Sequence, residues 1–326
     1  MKSVVTGGAG FIGSHLVDLL LQNGHDVCVI DNLSTGSLEN LRDSLKQITF
    51  INADLSIQDS TWQQPLLNAD YVFHLASLAD IVPSINDPVS YWNSNVTTTI
   101  NILQILRDAP LSKLVYAASS SCYGIATEYP TPETAPICPE YPYALTKRIG
   151  EEIIEHWGKV YGMPYISTRF FNVYGTRSRT SGTYGAVMGV FLAQKLAGQP
   201  LTIVGDGSQS RDFTYVSDIC DGLLLAAQSQ IKAGIYNLGS GKPSSINQVA
   251  SLIGGDVVFI PKRPGEPDIT HADISKARQD LSYEPRVSLE EGMGLVLRNI
   301  EYWRNAPVWT PDSIKAATAE WFARLS

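Results

Sequence analysis

The chain has 326 residues, enough for one large α/β unit or two packed domains with an ample apolar core. Its 44% hydrophobic and 17% charged residues are those of an ordinary globular protein, and a net charge of −8 argues against nucleic acid, whose polyanionic backbone selects basic surfaces. The cysteines, Cys28, Cys122, Cys138 and Cys220, form no CxxC pair and no zinc-like spacing with histidine, so no metal site and a reducing, cytoplasmic compartment are expected.

No apolar run approaches the roughly 18–20 residues of a membrane span. Met1 runs into a glycine cluster within a few residues, so neither a secretory leader nor a membrane partner is expected.

Compact β-branched runs at Lys2–Thr6, Asp26–Ile30, Ile48–Ile51, Tyr71–Leu75 and Lys113–Ala118 read as strands. Helical periodicity lies between them, at His15–Leu21 and Asn95–Leu106. A long helix is expected over Pro142–Tyr161, then a strand through Tyr165–Phe170. This alternation predicts an α/β fold of the Rossmann type, a doubly wound parallel sheet with helices on both faces. From about Thr176 the texture changes to glycine and threonine clusters, single helices such as Gly189–Leu196, and the loop "PKRPGEP" at 261–267. A smaller, mostly C-terminal α/β substrate domain is expected there. The boundaries read as 1–175 and 176–326, with a return segment to the first domain near 211–237.

The segment "TGGAGFIG" places Gly7, Gly10 and Gly13 between a strand and a helix. Glycine serves where the chain turns tightly and approaches a pyrophosphate, which the helix N-terminus then binds. A packing turn is the plain alternative. Asp31 ends the second strand eighteen residues beyond Gly13, where an acid accepts the adenosine ribose hydroxyls and favours NAD over NADP. Asp54 and Leu55 follow the third strand, near an expected adenine site. His74 is read as a buried histidine without chemistry.

Tyr143 and Lys147 in "YPYALTK" are four apart and share a helix face. Alone they are equally a surface pair. Next to a cation, however, the Tyr143 phenol is expected to titrate below its usual value and act as a base. Ser119 falls at the carboxyl end of the strand at 113–118, the edge where open α/β sheets place ligands. The three together suit the transfer of a proton and a hydride at a carbinol carbon.

The motifs "TGGAGFIGSH", "DNLSTG", "HLAS", "SSSCYG", "YALTK", "RFFNVYG" and "GDGSQSRDFTYVSD" make the chain resemble the extended short-chain dehydrogenases/reductases of the nucleotide-sugar epimerase/dehydratase group, in particular UDP-glucose/UDP-N-acetylglucosamine 4-epimerases. The resemblance covers residues 1 to about 290 and implies NAD as cofactor. It implies cofactor contacts from Gly7, Gly10, Phe11, Ile12 and Gly13 in the first motif, and from Asp31, Asn32, Ser34, Thr35 and Gly36 in the second. Asp54, Leu55, Leu75, Ala76, Asn95, Tyr143 and Lys147 complete that set.

In this group hydride leaves C4 of the sugar while Tyr143 takes the hydroxyl proton, Ser119 relays it and Lys147 holds the nicotinamide ribose. Dehydratases and decarboxylases of the group carry an acid just after the position of Ser119. Here Ser120 and Ser121 stand instead, which points away from a 4,6-dehydratase and towards a 4-epimerase, an isomerase acting through a transient 4-keto sugar. The resemblance further implies substrate contacts from Ser120, Ser121, Asn172, Arg211, Arg263, Glu266 and Thr270, the two arginines clasping a diphosphate. Glu266 replaces an aspartate of the pattern, and Phe213 a tyrosine.

A small residue at Thr270, "SINDP" at 84–88 and "GTYGAV" at 182–187 favour a substrate range of UDP-glucose/UDP-galactose together with the N-acetylated UDP-GlcNAc/UDP-GalNAc. Against this, "THA" with Arg177 and Arg179 resembles UDP-glucuronate 4-epimerases. A net-oxidising dehydrogenase and a non-enzymatic NAD-sensing regulator are the remaining alternatives. Helices at 95–106 and 143–161 resemble those of an intersubunit four-helix bundle, so a homodimer is expected.

Overall fold

The computed structural model describes residues 1–178 and 187–325. Its centre is a sheet built from β1 (Lys2–Thr6), β2 (Asp26–Asp31), β3 (Thr49–Asn52), β4 (Tyr71–His74), β5 (Lys113–Ser119) and β6 (Tyr165–Phe170). The intervening helices are α1 (Phe11–Gln22), α2 (Ser60–Leu67), α3 (Ile81–Asn86), α4 (Pro88–Trp92), α5 (Thr98–Leu106) and α6 (Pro142–Tyr161). The chain steps outward from β1 through β2 to β3, returns to pair β4 with the other side of β1, and continues through β5 and β6. Every one of these pairings is parallel, so β1 and β4 flank a topological switch point, where the loops diverge and leave a crevice.

Sequence explains the edges of the elements. Pro142 fits the first turn of α6, where no backbone donor is needed, and Gly162 ends the helix at φ 69°. The expected helix at 95–106 is the later part of a longer helical run from Pro88. Asp87 caps that run by accepting from the Ser90 N–H at 3.1 Å, and a π-helical turn at Asn93–Thr97 breaks the 3.6-residue period that would reveal it. Helix α1 starts at Phe11, four residues before the expected His15, because the glycine turn is itself the helix cap.

Beyond β6 come β7 (Val173–Tyr174), α7 (Val187–Leu196), β8 (Leu201–Val204), β9 (Ser210–Arg211) and β10 (Thr214–Tyr215). Helix α8 (Val216–Gln228) then packs against α1, and β11 (Ala233–Leu238) joins the large sheet as its seventh strand, parallel to β6. The second lobe continues with β12 (Ser244–Ser245), α9 (Ile246–Ile253), β13 (Val257–Ile260), α10 (Ser275–Leu281) and α11 (Leu289–Arg298), and ends in α12 (Pro311–Ala317) and α13 (Ala319–Leu325). One apolar core runs from Val5 and Phe73 through Val216 and Leu223 to Val249 and Met293, so the two lobes share it. A second core, with Trp62, Leu103, Leu114 and Ile154, covers the opposite sheet face. No helix among the described residues is long and apolar enough to cross a membrane.

Candidate active site

A cavity of about 900 Å³ opens at the carboxyl ends of the strands, between the two lobes. At its floor Gly7 turns the chain with φ +70°, and a Cβ there would lie 2.7 Å from the backbone nitrogen of Ala76. Gly13 is tighter still, its hypothetical Cβ falling 2.2 Å from the Gly7 oxygen. Gly10 caps α1 without a side chain, so the free N–H groups of the first turn have no side-chain partner at that end. Gly10, Phe11, Ile12 and Gly13 line the cavity at this point. A bare helix N-terminus on a glycine turn, at the switch point, fits a dinucleotide pyrophosphate.

Asp31 lies at the same wall, 7% exposed, its Oδ2 accepting the Ala9 N–H at 3.0 Å and its Oδ1 the Leu33 N–H at 2.8 Å. Burial raises its pKa while those two N–H groups oppose the shift. Each oxygen keeps a lone pair for a further donor. Asn32, Ser34 and Thr35 border the cavity beside it. Asp54 holds Ser56 N–H at 2.9 Å and Asn32 Nδ2 at 3.3 Å, with Leu55, Leu75 and Ala76 forming apolar wall. These residues fit NAD.

Two expected cofactor contacts do not reach the cavity. Gly36 packs under the turn, where a Cβ would meet the Ala9 carbonyl carbon at 2.9 Å, so glycine gives the loop room there. Asn95 is 1% exposed, and its amide is committed to Leu78 N–H at 2.8 Å, Leu78 O at 3.0 Å and Thr146 Oγ1 at 3.0 Å. It pins the loop after β4 to α6 from behind. His74, read as free of chemistry, bridges Thr6 Oγ1 and Thr99 Oγ1 at 2.9 Å each, and burial lowers its pKa to about 3.

Ser119, Tyr143 and Lys147 come together above the floor. Ser119 caps the short turn after β5 by accepting the Ser121 N–H at 3.2 Å, and its hydroxyl bonds the Tyr143 phenol. Lys147 is 3% exposed, one turn along α6, with Nζ 4.5 Å from the centre of the Tyr116 ring. Burial lowers its pKa to about 7, opposed by the Glu151 carboxylate. The Tyr143 phenol differs from expectation. Burial pushes its pKa above the ordinary value, Ser119 opposes this, and the Asp80 carboxylate and Cys122 raise it further. Lys147 interacts with the Tyr116 face, and desolvation governs the phenol.

Behind this pair lies a buried charge cluster. Glu151 accepts Arg169 Nη2 at 2.6 Å and Nε at 3.0 Å, Arg148 Nη1 at 2.6 Å and Ser167 Oγ at 3.0 Å. Arg169 also donates to the Tyr123 hydroxyl at 2.8 Å. Cys122 is buried beside the cluster, its thiol pushed up to about 12, so it has no thiolate to offer as a nucleophile.

The expected substrate residues line the same cavity. Glu266 bridges both arginines, 3.3 Å from Arg211 Nη2 and 3.4 Å from Arg263 Nε. Thr270 donates to Asn172 Oδ1 at 2.7 Å and accepts the Asp212 N–H at 3.1 Å. Ser120, Ser121 and Phe213 also border the cavity. Arg177, weighed for a uronate, reaches away to Asp18 at 2.7 Å. Arg179 and most of "GTYGAV" lie outside the described residues.

Asp80, Tyr141 and Trp321 are among the lining residues that the sequence motifs do not single out. Asp80 follows the "HLAS" motif, and an acid entering a loop at the sheet's carboxyl edge is a signal that was available. Tyr141 stacks on Tyr143 at 6.5 Å and 7° between planes. Trp321 arrives from the far end of the chain, which no local pattern reveals.

The family model described as the NAD dependent epimerase/dehydratase family matches residues 3–239. A UDP-glucose 4-epimerase of Mycolicibacterium smegmatis is 34% identical over 94% of this chain and 99% of its own length. Among solved structures, a UDP-N-acetylglucosamine 4-epimerase from Methanobrevibacter ruminantium in complex with UDP-N-acetylmuramic acid superposes with TM-score 0.85 at 34% identity, covering 91% of this chain and 98% of that one. A UDP-glucuronic acid 4-epimerase from Bacillus cereus with UDP-glucuronic acid and NAD gives TM-score 0.85 at 33% identity, covering 92% and 99%.

Proposed function

Because the chain belongs to the NAD-dependent epimerase/dehydratase family and uses NAD, we propose that it is a UDP-hexose 4-epimerase acting on UDP-glucose/UDP-galactose and on their N-acetylated counterparts. The observation that carries this reading is Tyr143 and Lys147 lining one cavity with the arginine pair, the phenol hydrogen-bonded to the buried Ser119 behind it, with serines and no acid following Ser119.

NAD supplies a hydride acceptor and donor for the sugar C4. Tyr143 takes the proton of the 4-hydroxyl with Ser119 as its hydrogen-bond partner, and returns that proton once the hydride is restored to the opposite face. The cycle leaves no net oxidation. Arg211 and Arg263 hold the diphosphate while the sugar turns. The domain of 1–175, with its return segment at 211–237, carries the cofactor, and 176–326 carries the nucleotide sugar.

Dehydration lacks its acid after Ser119, and losing a placed acid/base costs roughly 10²- to 10⁴-fold in rate. A neutral sugar is favoured over a uronate because Arg177 is paired with Asp18. The side chain of Thr270 leaves more room at the sugar wall than a tyrosine would. Exposed Val89, Trp92, Ile100, Leu145, Val160 and Tyr161 on α4, α5 and α6 support a homodimer through these helices; a monomer in light scattering removes that part.

NMR of product mixtures from UDP-glucose, UDP-N-acetylglucosamine and UDP-glucuronate tests the whole reading. Inversion at C4 of the first two without accumulation of NADH is expected. A clear kcat/KM preference for the glucuronate overturns the substrate range, and no turnover of any of the three overturns the epimerase. Tyr143→Phe is expected to abolish turnover while sparing UDP binding; full activity in that variant refutes the proton route.

A further inference from the structure

Residues 240–326 lie outside the matched family model, yet their last helix enters the cavity. Thr310 and Ser313 form a reciprocal cap at the start of α12, with Pro311 at the first helical position, so the tail folds locally. Gln194 Nε2 holds the Trp309 carbonyl at 2.7 Å and ties the tail to α7 of the second lobe. Helix α13 then crosses to pack against α3 of the first lobe. At that crossing Trp321 is 2% exposed.

Three contacts fix the indole. Its Nε1 donates to the Pro264 carbonyl at 2.7 Å, pinning the loop that carries Arg263 and Glu266. The Arg263 guanidinium carbon lies 5.7 Å from the centre of the Trp321 ring, within cation–π range. The indole also lies 6.0 Å from the Tyr141 ring, centre to centre and tilted by 41°, and Tyr141 in turn stacks on Tyr143. One side chain therefore touches both the arginine side of the cavity and the aromatic wall beside the phenol. A guanidinium held over a ring keeps its orientation and loses less freedom when it meets an anion.

We propose that α13 is part of the nucleotide-sugar site and that Trp321 is a positioning residue for the diphosphate, acting by holding Arg263 and its loop across the cavity. The inference rests on the reading of the ligand as a UDP-sugar. It adds a C-terminal wall to the site, which the motifs of the first 290 residues do not contain.

The test uses the full-length, NAD-loaded protein with Trp321→Ala, Trp321→Phe, Arg263→Lys and the Phe/Lys double variant. UDP is titrated calorimetrically, and KM and kcat are measured with UDP-glucose. Losing the ring is expected to weaken UDP binding by about 3- to 30-fold. KM should rise more than kcat falls, and bound NAD should be unchanged. Trp321→Phe, which keeps a ring and loses the N–H, should fall between, and it decides the matter if the alanine variant does not fold. In the double variant the two losses should be less than additive, which a purely structural tryptophan would not produce. Wild-type UDP affinity in Trp321→Phe and Trp321→Ala, or strictly additive losses, overturns the proposal. A wild-type chain that binds UDP-glucose without inverting it defeats the epimerase reading alone. One that binds no UDP defeats both.

Discussion

The Lys147 ammonium stands 4.5 Å from the centre of the Tyr116 ring, and the Tyr116 hydroxyl reaches back to the Lys147 carbonyl at 3.4 Å. Burial lowers the Lys147 pKa from 10.5 to about 7. The folded chain thus binds fewer protons than the unfolded one between about pH 7 and 10.5, and stability contributed by this group rises with pH across that window. Below it the buried charge imposes its full cost. Lys147→Met is expected to be more stable than the parent at pH 6, with the gap closing towards pH 10, while turnover is lost. Urea unfolding of both chains at several pH values checks this; a gap independent of pH would contradict it.

Glu151 supports that lysine from behind. It is 1% exposed and balances Arg169, itself 2% exposed. Replacing it with glutamine leaves the Arg169 charge buried with neutral partners, and breaking a buried pair from one side costs about 3–5 kcal/mol. Its carboxylate also raises the Lys147 pKa, so the variant should carry a lysine that loses its proton at still lower pH. The expected outcome is a lower thermal midpoint and an altered pH profile of kcat. Arg169→Met paired with Glu151→Leu should recover stability better than either alone, because the pair is then removed together. Denaturation of the three variants reads this directly.

Asp80 bears on the phenol from the loop after β4. Its negative charge raises the pKa of Tyr143, along with burial and Cys122, against the Ser119 hydrogen bond. Asp80→Asn removes that charge, so the phenolate should form at lower pH and the acid limb of kcat/KM should move down the pH scale. Ser119→Ala removes the opposing bond and should move the limb upward, with a loss of roughly 10²-fold or more in rate. Opposite shifts in the two variants are the signature; equal profiles would exclude Tyr143 as the titrating base.

What the sequence revealed follows from how local each signal is. Lys2–Thr6, Pro142–Tyr161 and Tyr165–Phe170 appear with their exact structural bounds, because proline, glycine and β-branched runs act within a few residues. The glycine turn and Tyr143–Lys147 are legible for the same reason, each set by one short segment. The π-helical turn at 93–97 hid the start of the helical run at Pro88 by shifting the period. Gly36 ends a motif and Asn95 follows Asn93 and Ser94, neighbours that line the cavity, but the two residues themselves serve the loops. Trp321 meets Tyr141 across 180 residues of chain, a relation that only the folded arrangement supplies.

Gly13 offers the sharpest test of the cofactor floor. A Cβ there would fall 2.2 Å from the Gly7 oxygen and 2.8 Å from the Gly8 Cα, both main-chain atoms of the turn that α1 must cap. Nothing flexible can give way, so Gly13→Ala forces α1 away from β1 at a cost of roughly 1–3 kcal/mol and draws its first N–H groups off the pyrophosphate position. Gly10→Ala meets only the Gly7 oxygen, at 3.1 Å, and serves as the milder partner. Thermal unfolding with and without added NAD, together with NAD released per chain on denaturation, separates the effects. Gly13→Ala should lose both stability and retained NAD, and Gly10→Ala chiefly the latter. Full NAD occupancy and an unchanged midpoint in Gly13→Ala would show that this turn is not what holds the cofactor.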